Sequence, residues 1–149
     1  MPQDDQNRFN LKRFIEAQNS CYPNVLKELT LGKKVSHWIW FIFPQIDGLG
    51  HSATAKKYAI KSLEEAQAYL DDPVLGGRLI ECTRLVMRIE NSSAQEIFGY
   101  PDHLKFHSSV TLFANLDHSP EIFKDAQIKF YDGVTDKNSM DILNNLSSE

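Results

Sequence analysis

Leu75, Leu79, Cys82, Val86 and Ile89 stand four, three, four and three residues apart, a series that lines one side of an α-helix and that no strand can hold on one face. Pro73 precedes them where a helix tolerates proline, in its first turn. A seam this long needs partners along its whole length. A helix near residues 73–90 is therefore expected at the centre of the fold. The chain has 149 residues, 42% hydrophobic and 24% charged, which is enough to close one core around that helix without disulfides or a metal.

The rest of the punctuation is helical as well. Between residues 8 and 18, Leu11, Phe14, Ile15 and Gln18 recur at helical spacing, which puts Gln18 on the buried stripe. Pro23 opens and Gly32 closes a second helix, with Tyr22 at the corner. Ser52 is an N-cap for residues 53–60, and Ser62 with Glu65 makes a capping box before 63–70. Ser93 with Glu96 makes another, in front of a short turn ending at Phe98-Gly99. Further helices are expected from Pro101 to about residue 115, after Ser119-Pro120 with Phe123, Ala126 and Phe130 on one face, and around 140–146. The run Trp38-Ile39-Trp40-Phe41-Ile42-Phe43 has strand-like composition, but a strand would find no partner elsewhere, so it is read as a short buried helix. The expected fold is all-α: one domain over 1–149, about seven to nine short helices around the 73–90 helix, with 1–7 as a flexible N-terminal segment.

Several functional classes are disfavoured. The longest apolar run, at 38–43, is far short of the roughly 20 residues that span a bilayer. Met1-Pro-Gln-Asp-Asp-Gln lacks the basic and apolar regions of a secretory signal, so a cytoplasmic location is expected. Cys82 falls on the apolar seam as a small hydrophobe, and Cys21 is expected as a weakly exposed thiol. A net charge of −4, with only the pairs Lys33-Lys34 and Lys56-Lys57, argues against nucleic acid and anionic membrane as partners.

The motifs that could carry chemistry each have a plainer explanation. Gly48-Leu49-Gly50-His51-Ser52-Ala53 fits G-x-G-x-x-G/A, yet four residues separate it from the apolar run, and a helix-capping loop is favoured over dinucleotide binding. His103 and His107 share a helical face, but no third ligand is fixed by spacing; no metal and no cofactor are expected. Asp102, Lys105 and Ser109, with Ser108 and Thr111 beyond, lie along a side that Leu112 and Leu116 continue toward the core. A charged group drawn inward needs partners, which suggests that this side lines a pocket. His37 and Gln45 bound the aromatic run, and Trp38 and Trp40 each need a partner for the indole N–H if buried.

Taken together, "GKKVSHWIWFIFPQIDGLGHS", "YAIKSLEEAQAYL", "GGRLIECT", "IFG" and "DHLKFHSSVTLF" resemble the bacterial domain of unknown function family 1810, over about residues 8–143. The resemblance implies a mostly helical single domain with no established activity. Its pattern includes positions matching Gln18, Tyr22, Lys34, His37, Trp38, Trp40, Pro44, Gln45, Gly48, Gly50, Ser52, Tyr58, Asp102, Lys105, Ser108, Ser109 and Thr111. Ile39 and Val110 stand where methionine is usual in the family, and Asp72 where histidine is frequent. Members are often labelled calpastatin-like, but calpastatin-type inhibitors are disordered chains, unlike one with seams and caps throughout.

Three readings follow. The first is a cleft between the Ser36-to-Gln45 segment and the 101–115 helix that binds a small polar or nucleotide-like ligand. In it Lys34 or Lys105 meets an anion, Trp38 or Trp40 stacks, and His37, Gln45, Tyr58, Ser108 and Ser109 complete the wall. The second is a protein-interaction or structural module without a ligand. The third is a hydrolase or transferase in the same cleft, with His37 or Asp102 as general base and Lys105 as electrostatic stabiliser.

Overall fold

The computed structural model describes residues 2–147, with side chains from 6 to 146. Its helices are α1 (Pro2–Phe9), α2 (Lys12–Asn19), α3 (Tyr22–Leu31), α4 (Ile39–Ile42), α5 (Ala53–Lys57), α6 (Leu63–Asp71), α7 (Pro73–Met87), α8 (Ala94–Phe98), α9 (Asp102–Ala114), α10 (Ile122–Tyr131) and α11 (Lys137–Ser147). No strand occurs among the described residues; one parallel bridge joins Ile46 and Ile60. The all-α class stands, and the expected count of seven to nine helices is corrected to eleven among the described residues. Much of the difference lies at the N-terminus. Asn10 takes a left-handed φ of 51° and splits the expected 8–18 helix, and α1 begins at Pro2, within the 1–7 segment. Met1 lies outside the described residues.

The capping signals act largely as read. Ser52 accepts from the Ala55 N–H, Ser93 and Glu96 close a reciprocal box, and Gly32 ends α3 at φ 88°. Ser62 caps α6 through the Glu65 N–H, but Glu65 reaches back to the Lys61 N–H rather than to Ser62, so the second half of that box is displaced by one residue. Asp72 is an N-cap that the sequence reading passed over: Oδ1 accepts from Val74 N at 2.9 Å and Leu75 N at 3.0 Å, while Oδ2 accepts from Gln6 Nε2 at 2.6 Å.

Helix α7 is central, packing against α2, α3, α4, α6 and α10. Leu75, Leu79, Cys82 and Val86 are buried, and Ile89 is half-buried past its end. Burial raises the Cys82 thiol to about 12, so it behaves as a hydrophobe. Gln18 is buried as expected. It donates to Phe41 O at 2.7 Å and the Tyr69 hydroxyl at 2.9 Å, and accepts from Arg78 at 3.2 Å.

The aromatic run positions α9. Phe43 meets Phe106 edge to face at 4.9 Å between ring centres, and Phe98 stacks on Phe106 at 4.5 Å. Such pairs add about 0.5–1.5 kcal/mol each beyond buried area. They clamp α4, α8 and α9 together. Ile39 and Ile42 are buried within α4, whereas Trp40 and Phe41 are only half-buried, which corrects the expectation of a helix buried on every side. None of the described helices is long and apolar enough to cross a membrane.

Candidate functional site

After Pro44 the chain leaves the aromatic cluster and is tied down again by two backbone bonds: Ile60 N donates to Gln45 O at 2.9 Å and Asp47 N to Ile60 O at 2.7 Å. The glycine loop lies between these ties. Gly48 has a φ of 109°, and a Cβ on Gly50 would come within 2.6 Å of Ala55 Cβ, so the loop fits closely against the start of α5. It caps a five-residue helix rather than joining a strand to a long one, so the dinucleotide reading has no βα unit here.

Across from this loop stand the first two turns of α9 and the start of α11. A cavity of about 270 Å³ opens between them, lined by Gln45, Leu49 and Gly50 on one side, by Pro101, Leu104, Lys105 and Ser108 on the second, and by Asp136 and Asn138 on the third. Asp136 holds the third wall in place. Its Oδ2 accepts from Ser139 N at 3.0 Å, Ser139 Oγ at 2.6 Å and Ser108 Oγ at 3.0 Å, and its own N–H donates to Thr111 Oγ1 at 3.0 Å. The carboxylate thus caps α11 and ties it to α9. Lys105, Gln45 and Asn138 differ from it: their side chains make no hydrogen bond or ion pair among the described residues.

Three of the sequence candidates, Gln45, Lys105 and Ser108, therefore meet in one cavity, at the edge of the aromatic run and on the 101–115 helix. The others are placed elsewhere. Lys34 has a side chain only 4% exposed; its ammonium lies 2.6 Å from Asp102 Oδ2, bonds to Ser36 O and sits 5.1 Å over the Trp38 ring. Lys34 and Asp102 thus neutralise each other. Trp38 is 1% exposed and donates its indole N–H to Glu28 Oε1 at 3.1 Å, which removes it as a stacking surface. Trp40 packs half-buried against the core. Ser109 is 1% exposed, and its hydroxyl is a buried polar group without a partner among the described residues. Tyr58 lines a different groove with Arg13 and Lys57, and exposed His37 is not among the residues of the Lys105 cavity.

The two helical histidines do not converge. His107 stacks flat on Tyr131 at 3.8 Å and its Nε2 lies 2.7 Å from Val134 O, while His103 Nδ1 lies 3.1 Å from Gly99 O. No group of three metal-ligating side chains occurs among the described residues. Asp136 and Asn138 were missed because the last helix was expected only around 140–146, whereas α11 starts at Lys137; the signal was Asp136 three before Ser139, an N-cap spacing.

A family model described as "Protein of unknown function (DUF1810)" matches residues 8–143. The chain belongs to that family. Among solved structures, the crystal structure of the conserved hypothetical protein Rv1873 from Mycobacterium tuberculosis is similar to it, with a TM-score of 0.90 and 48% identity over 92% of this chain and 98% of that one. No functionally curated protein matches the chain. The family thus has a bacterial member with the same fold, and its description names neither a ligand nor a reaction.

Proposed function

We propose that this domain binds a small polar molecule bearing one anionic group, in the cavity between the Gln45–Gly50 loop and the start of α9. The observation that supports it is the convergence of Gln45, Lys105 and Asn138, from three separate segments, with side chains that have no protein partner among the described residues. Unpaired polar groups are ordinary on a convex surface. Three of them around one concavity form the sparse polar set that orients a ligand in a pocket. Lys105 would meet the anionic group, and the amides of Gln45 and Asn138 would read its donors and acceptors. Ser108 and Asp136 would be held in register by the hydrogen bond between them. Leu49, Leu104 and Pro101 supply apolar edges.

Calorimetric titration with a panel of small carboxylates, sugar phosphates, nucleotides and ADP-ribose tests the reading. The expected result is at least one binder whose affinity falls about tenfold, ~1.4 kcal/mol, in Lys105→Ala. A panel without any binder, or one in which every binder is indifferent to both Lys105→Ala and Gln45→Ala, would overturn it.

A further inference from the structure

A second concavity, of about 500 Å³, lies where α1, the end of α5 and the start of α6 come together. Five cationic side chains line it, Arg8, Arg13, Lys56, Lys57 and Lys61, against one carboxylate, Glu65. That is a marked concentration of positive charge in a chain whose net charge is −4. It is invisible as a run in the sequence, because its members come from residues 8–13 and 56–61.

The five do not have the same task. Arg13 is structural: its guanidinium donates to Phe9 O, Asn10 O, Lys57 O, Ala59 O and Glu65, so no N–H remains for a ligand. That arrangement also bears on the lysines. Lysines in the last turn of a helix often serve its free carbonyls, but here the Lys57 carbonyl is already taken by Arg13. Lys56 and Lys61 have no hydrogen bond or ion pair from their ammonium groups among the described residues, and Lys57 only lies 5.3 Å from the Tyr58 ring centre. Arg8 is paired with Glu64, but both side chains are well over half exposed, a contact that competes poorly with a stronger anion. Glu65 in turn is neutralised by Arg13. Three ammonium groups and an easily released guanidinium therefore share one concave surface with no free counter-charge in its lining.

We infer that this groove is an anion site for a di- or triphosphate group, separate from the Lys105 cavity. A concavity of about 500 Å³ lined by several point charges suits a compact, multiply charged anion better than a single carboxylate.

The test is isothermal titration of the full chain with inorganic tripolyphosphate, ATP and a single-stranded RNA, at two salt concentrations. Tripolyphosphate should bind, with affinity reduced at least tenfold in the double variant Lys56→Ala/Lys61→Ala and unchanged in Lys124→Ala, an exposed lysine on α10. Equal affinity for ATP and tripolyphosphate would assign recognition to the phosphates alone, and tighter binding of ATP would add a nucleoside contact to the same site; both support the inference. Failure of tripolyphosphate to bind, equal weakening in Lys124→Ala, or binding of RNA alone would overturn it. Loss of the Lys105→Ala effect described above leaves this outcome untouched, so the two sites can fail independently.

Discussion

Glu28 shows how one side chain can shape a loop that no motif explains. Its carboxylate accepts from Val35 N at 2.6 Å, Ser36 N at 2.8 Å, Ser36 Oγ at 2.7 Å and Trp38 Nε1 at 3.1 Å, gathering the chain between α3 and α4 around one charge. Burial pushes its pKa up, but the four donors outweigh burial and hold it below the ordinary value. The sign follows directly. In the window between the folded and ordinary values the unfolded chain binds more protons, so this contribution is fully present above the ordinary value and is lost as pH falls through the folded one. Glu28→Gln is expected to lower stability by about 1–2 kcal/mol at neutral pH and to flatten the acid limb of stability against pH, both read by urea denaturation. A variant with an unchanged acid limb would refute the account. The need of Trp38 for an indole partner was legible in sequence; that Glu28 supplies it was not, because the bond depends on how the loop folds back on α3. Gln18 was the reverse case, placed inside by the stripe around it before any partner was known.

At the scale of elements, the sharpest contrast is between adjacent glycines of α7. A Cβ on Gly76 would sit 1.9 Å from Leu70 O, so α6 and α7 approach each other there more closely than any side chain permits. A Cβ on Gly77 would meet nothing within 4 Å. Gly76→Ala is therefore expected to destabilise by about 1–3 kcal/mol or more through backbone displacement. Gly77→Ala should stabilise by up to about 1 kcal/mol, from helix propensity alone. Thermal or denaturant midpoints should move in opposite directions, and movement in the same direction would contradict the packing. Nothing in "GGRLIECT" distinguishes the two glycines, since the difference is made by a neighbouring helix. The helix starts marked by Ser and Pro were readable because these residues act locally; the break at Asn10 was not, because a single left-handed residue interrupts an otherwise unbroken periodic pattern.

For the molecule as a whole, Arg13 joins segments distant in the chain. It ties the α1–α2 corner to the α5 exit and to Glu65 of α6, with side chains 11% and 4% exposed in that ion pair. Arg13→Lys should cost about 3 kcal/mol, since one ammonium with three donors cannot replace a five-donor fork. Stability and hydrogen exchange across residues 56–65 would measure it, and a variant as stable as the parent would show the clamp to be dispensable. The same scale explains what was legible of the Lys105 cavity. The expected cleft lay between residues 36–45 and the 101–115 helix; the cavity takes only Gln45 from the first and Pro101, Leu104, Lys105 and Ser108 from the second, and adds Leu49, Gly50 and, from a segment joined only by tertiary packing, Asp136 and Asn138. Of the residues grouped with these by motif density, Trp38 is buried in the core, Tyr58 lines a different groove, and exposed His37 is not among the cavity's residues.

The turn between α6 and α7 has a kinetic consequence. Asp72 ends one helix and caps the next, and two residues of chain order separate Asp72 from Leu70 while Gly76 meets that residue's carbonyl across the crossing. Contacts so near in sequence close at little loop entropy and form early. The α6–α7 hairpin is therefore suited to serve as the folding nucleus, the piece onto which the distant aromatic run and α9 later condense.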